Sequence, residues 1–70
     1  MNTQTITWTA PQANGVYAEL GNANGATPVM IQVEAGKSET FNLDSLQAAN
    51  FKECMCSAAF PNDSVVTFHN

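Results

Sequence analysis

Residues 3–9 read T-Q-T-I-T-W-T, a period-two alternation that sets Ile6 and Trp8 on one face of a strand and Thr3, Thr5, Thr7 and Thr9 on the other. The same alternation returns in Val16, Ala18 and Leu20, in Val29, Ile31 and Val33, and in Phe41 and Leu43, with Leu46 closing that run. Short turn signals separate these runs: "PQANG", "GNANGATP", "EAGKSE" and, before a last strand at residues 65–69, "PNDS". No helical stripe of comparable quality interrupts them. One patch reads two ways. Asp44 can cap a short helix in "LDSLQAANFKECM", whereas Cys54, Cys56 and Ala58 alternate as a strand, which favours a loop with one helical turn before it. The expectation is an all-β antiparallel sandwich of about six short strands, with a small β-barrel as the other architecture the turn spacing allows. Its core is expected to contain Ile6, Trp8, Val16, Leu20, Ile31, Val33, Phe41, Leu43, Leu46, Cys54 and Cys56.

Size limits what such a core can achieve. A chain of 70 residues is one domain, spanning 1–70, whose burial barely outweighs the entropy of ordering it, so partners are expected to contribute. Only 11% of residues are charged while 44% are hydrophobic, the composition of a folded chain with a polar, weakly charged surface. Two basic residues against six acidic ones, net −4, leave no basic cluster, which argues against nucleic acid and anionic membranes as partners. The first residues have no basic and apolar leader pattern, and no run approaches the roughly 20 apolar residues of a membrane span. Synthesis in the cytosol without export is therefore expected.

Catalytic and metal chemistry find little footing. Cys54 and Cys56 on a strand would stand about 6.5–7 Å apart at Cα, at or beyond the disulfide limit, and read as small buried hydrophobes. With His69 they would offer three metal ligands, but C-x-C is not the spacing of structural zinc, so neither metal nor cofactor is expected. His69 lies beside the C-terminus and is expected to be an unanchored base. Glu34, Glu39 and Asp44 read as solvated surface charge rather than paired catalytic carboxylates. "GNANGATP" lacks the lysine and following helix of a phosphate loop. Tyr17 and Met30 alternate against the buried positions of their strands and so face outward. On neighbouring strands they would form a small apolar contact patch.

"ITWTAP", with Ile6, Trp8 and Pro11, resembles the opening of the second strand of a fibronectin type III domain. "TPVMIQVEAGKSETFNLDSL" is similar to that family's middle section, with Leu46 at the place of its corner leucine. The resemblance covers roughly residues 6–68 and implies an immunoglobulin-like sandwich in which Cys54, Cys56 and Ala58 take alternate inward positions of the F strand. Two departures stand out. Lys52 occupies the position of the family's corner tyrosine, and nothing precedes Thr3 that can serve as the first strand. The resemblance then implies that Thr3, Thr5, Thr7 and Thr9 lie on an unpaired sheet edge, without the lysine, proline or bulge that usually protects one. Such an edge invites a strand from a second copy or a partner.

These readings point to a non-enzymatic interaction protein whose contacts are Thr3, Thr5, Thr7, Thr9, Tyr17 and Met30. A stand-alone domain of this kind without an export signal resembles small bacteriophage virion accessory proteins. That resemblance implies attachment to a capsid or tail protein, or to itself, as an oligomer on a particle. The alternatives are a small inhibitor of a host protein, which the acidic charge suits, and a carbohydrate or small-ligand module built on Tyr17 and the Asn-rich loop.

Overall fold

The computed structural model describes residues 3–57, 60, 61 and 63–69. The strands are β1 (Thr3–Thr9), β2 (Val16–Leu20), β3 (Val29–Val33), β4 (Ser38–Asp44) and β5 (Val65–His69), and a helix, α1 (Ser45–Met55), separates the last two. They form two antiparallel sheets, one of order β4-β1-β5 and one of order β2-β3. Both sheets and α1 contribute to a single buried cluster.

The alternation read in the sequence holds in both sheets. Ile6 and Trp8 are fully buried, and the residues opposite them, Phe41 from β4 and Val66 and Phe68 from β5, also pack against the core. Val16, Ala18 and Leu20 on β2 and Ile31 and Val33 on β3 bury the facing side. Gly15 leads into β2 where the chain runs so close to β3 that a Cβ would sit 2.8 Å from the Val33 carbonyl oxygen, so no larger residue fits without backbone movement. β3 passes to β4 through a tight turn closed by the Lys37 N–H donating to the Glu34 carbonyl at 3.0 Å. Gly36 takes the left-handed conformation there, at φ 72°.

β1 is not an edge strand. It lies at the centre of its sheet, paired with β4 along its whole length and with β5 from Thr5 to Thr9. The flank expected to stand open for want of a preceding strand is filled by the chain's own last strand.

The second correction is α1. Residues 47–58 do not form a loop followed by a strand: Ser45–Met55 is helical, and Ala58 lies outside the described residues. A capping box decides the matter locally. The Asp44 carboxylate accepts from the Gln47 backbone N–H at 2.7 Å, while the Asp44 N–H donates to Gln47 Oε1 at 3.1 Å. Helical spacing then aligns Ala48, Phe51 and Met55 toward the core, with Cys54 beside them. Two amide side chains fasten the helix to the loop after β2. Gln47 Nε2 donates to the Thr27 carbonyl at 2.8 Å, and Asn50 Nδ2 to the Ala23 carbonyl at 3.3 Å.

Three expected core residues move as a result. Leu46 lies on the far side of the helix from Ala48 and is 42% exposed, so it is not a corner leucine in the core. Cys56, just past the helix, is exposed, and Cys54 is only half-buried. Both thiols are free, and the strand geometry invoked to keep them apart does not apply.

The centre of the core is aromatic. Phe51 stands edge-on to Trp8 at 5.5 Å, to Phe41 at 6.0 Å and to Phe60 at 6.0 Å, and lies 6.3 Å from Phe68. Phe60 in turn stacks on Trp8 at 5.3 Å. Trp8 Nε1 has no hydrogen-bond partner among the described residues, so packing holds this indole. Replacing Phe51 with Ala is expected to cost about 3–5 kcal/mol, as much as the core of so small a domain supplies, and urea titration should find the variant largely unfolded. Leu46→Ala, by contrast, should shift the same transition by less than about 0.5 kcal/mol.

Candidate functional site

The outward faces of the two sheets differ in chemistry. On the three-stranded sheet, Thr3, Thr5, Thr7 and Thr9 run down the centre, flanked by Asn42, Thr40 and Ser38 of β4 and by His69, Thr67 and Val65 of β5. Their hydroxyls bond across the strands. Thr5 Oγ1 donates to Asn42 Oδ1 at 2.7 Å, Thr7 Oγ1 lies 2.9 Å from Thr40 Oγ1, and Thr9 Oγ1 lies 2.7 Å from Ser38 Oγ. These threonines therefore tie the sheet together sideways and do not line a free edge. His69 is not loose: its Nε2 is 2.8 Å from Thr7 Oγ1, and its backbone carbonyl accepts from Gln4 Nε2. It is nevertheless exposed on an open sheet face.

The outward face of the two-stranded sheet alternates apolar and polar side chains, Tyr17 and Met30 with Glu19 and Gln32. Tyr17 and Met30 are 64% and 60% exposed. Tyr17 is opposite Gln32, and Met30 is opposite Glu19, which makes Tyr17 and Met30 diagonal neighbours on one surface. The outward placement expected of both residues from their alternation holds, at diagonal positions on neighbouring strands. A shallow depression of about 250 Å³ beside Met30 is lined by Glu19, Pro28, Val29 and Met30.

A deeper groove borders the same sheet. β2 pairs with β3 on one side only, and no strand pairs with its other edge among the described residues. Along that edge runs a groove of about 310 Å³, with Gly15–Glu19 forming one wall and Cys54, Ser57, Phe60 and Pro61 the other. Glu19 is the one charged residue among those lining it. This groove was not legible in the sequence, because alternation in residues 54–58 points to a strand and not to a helix followed by a connection. The signal for the true arrangement was Asp44-x-x-Gln47, which starts a helix and so leaves that edge without a neighbour from this segment.

A smaller groove of about 230 Å³ lies between the start of β1 and α1, lined by Thr3, Gln4, Ser45, Ala48, Ala49 and Lys52. The Lys52 ammonium sits 5.3 Å from the centre of the Phe68 ring, a cation–π contact that covers the aromatic core from outside. Cys54 lines the groove beside β2 while His69 bonds to Thr7 on the other sheet, and no cluster of three or more His, Cys, Asp or Glu occurs among the described residues. None of the helices of the described residues is long and apolar enough to cross a membrane.

No family model matches this chain, and neither curated proteins nor solved structures include a similar one.

Because β1 is paired on both sides, Thr5→Pro should remove a ladder hydrogen bond from a central strand whichever way the Thr5 N–H points. The carbonyl left without its donor costs about 1–3 kcal/mol, read as a lowered thermal transition by circular dichroism. A folded variant of altered oligomeric state would contradict the central placement of β1.

Proposed function

We propose that this protein is a non-enzymatic docking module that attaches to another protein chain through the outer face of the β2–β3 sheet. The observation that carries the reading is the exposure of both Tyr17 and Met30, diagonal neighbours on one face, on a domain whose own aromatic core is already filled. A Tyr and a Met at the centre of a small face are residue types enriched in protein interfaces, and Gln32 and Glu19 beside them supply a polar rim. The threonine face is the poorer candidate, since its hydroxyls are largely engaged with one another.

The fold fits a reduced immunoglobulin-like or fibronectin type III-like sandwich. In that reading β5 takes the place beside β1 that the family's first strand would hold, and α1 replaces the strand expected over residues 54–58. Supporting it are the inward Ile6 and Trp8 on β1 and the division of the strands into two antiparallel sheets. A small virion accessory protein, decorating a capsid or seated on a tail, is the setting that matches such a compact, weakly charged domain. The inference from fold class to that setting is one of analogy.

The test is co-sedimentation. In lysates of cells producing virus particles together with this protein, wild type should band with the particles in a density gradient. The double variant Tyr17→Ser, Met30→Ser should keep its melting temperature within a few degrees and lose association by tenfold or more, as expected for hot-spot side chains. Equal banding of both proteins would remove the β2–β3 face from the contact, and wild type remaining at the top of the gradient would remove the virion setting.

A further inference from the structure

The groove beside β2 has the form of a receptor for a single extended strand. Five consecutive residues, Gly15–Glu19, make one wall, and alternate residues of β2 present their N–H and C=O groups to it, because the strand is paired only on its β3 side among the described residues. The facing wall is mainly apolar, with Phe60 and Cys54 half-buried and Pro61 beside them. The space, about 310 Å³, is open to solvent along the unpaired side of β2. A second copy is a poor occupant. Its own β2 edge carries the same wall of Cys54, Phe60 and Pro61 next to it, so two such edges cannot approach each other.

From this we infer that β2 accepts an extended segment of a partner protein by strand addition, with a basic side chain opposite Glu19. The inference rests on the docking reading above and gives the partner a chemistry. An added strand continues the alternation of β2. The partner residue opposite Glu19 shares the outer face with it, where the only lining charge is negative, and is Lys or Arg. The next residue, opposite Ala18, turns inward toward Phe60 and Cys54 and is apolar. The one after it, opposite Tyr17, returns to the outer face, where a β-branched or aromatic side chain covers the exposed tyrosine. Backbone hydrogen bonds would supply the affinity and these three positions the selectivity.

The probes are capped pentapeptides titrated into the full-length, nitrogen-15-labelled protein. The first is Val-Lys-Val-Thr-Val, accompanied by its reversed order for the opposite strand direction, by forms with Lys replaced by Glu, and by forms N-methylated at alternate amides. Strand addition is expected to slow hydrogen exchange at alternate amides of β2 and to shift their resonances, at several-fold lower concentration of the Lys peptides than of the Glu peptides. N-methylation in one of the two alternating registers should abolish the effect. Glu19→Gln should weaken binding by about twofold to fivefold, as for an exposed ion pair.

No protection of β2 amides by any peptide at millimolar concentration would overturn the inference. So would equal binding of the Lys and Glu peptides, or of all the N-methylated forms. Shifts confined to Tyr17, Met30 and Gln32 without protection of β2 would also overturn strand addition while leaving docking through the outer face standing. Loss of docking itself is read separately, in the sedimentation of the Tyr17→Ser, Met30→Ser variant.

Discussion

The ring of Phe51 touches every other large aromatic side chain placed in the core, and those side chains come from four separate segments: Trp8 from β1, Phe41 from β4, Phe60 from the 56–64 connection and Phe68 from β5. Neither sheet alone has enough inward surface to exclude water. The β2–β3 pair is a two-stranded ribbon, which has marginal stability by itself. By inserting Phe51, α1 gives both sheets something to close upon, and the helix contacts β1, β2 and β4. The position of α1 is itself fixed by polar groups: Gln47 and Asn50 reach the carbonyls of Thr27 and Ala23, and the same Gln47 completes the capping box. A few directional bonds orient the helix, and a large apolar contact supplies the driving force.

That division explains what could be foreseen from the sequence. Period-two runs locate β1, β2, β3 and β4 and most of the core, because alternation against a buried face is a local property of a strand, and the turn before residue 65 locates β5. Tyr17 and Met30 follow from the same rule, applied to the opposite face. The helix is harder to foresee, since its buried side is short, with Ala48 and Phe51 as its main apolar contribution, and Asn50 is buried on another side. Cys54, Cys56 and Ala58 mimic a strand by spacing alone. The partner of β1 is a different kind of problem. Nothing near Thr3–Thr9 reveals that Val65–His69 will lie beside it, because strand pairing at long range is settled by the whole core and not by either segment.

The groove beside β2 follows from the helix that stands where the sequence pattern points to a strand. A helix ending at Met55 sets Cys54 and the following Ser57, Phe60 and Pro61 at a distance, as the opposite wall of a groove. The outer patch of Tyr17 and Met30 then borders a strand edge, so side-chain contact and backbone pairing are available to one partner along one continuous surface.

The pairing of β1 with β5 sets the order in which this chain can become a protein. Thr7 and His69 are separated by 62 positions, and the contacts that flank the first strand on that side come from the last. On the ribosome, β1 and its β4 neighbour are synthesised well before β5, leaving an intermediate with one flank of a threonine-rich strand exposed. Closure of so long a loop makes the final step slow relative to local structure. During that interval the outward threonines, already able to bond sideways to β4, present a hydrated surface rather than a greasy one. The hydroxyl ladder from β1 to β4 needs nothing from β5, so the outward face of that strand pair is polar with or without the last strand beside it.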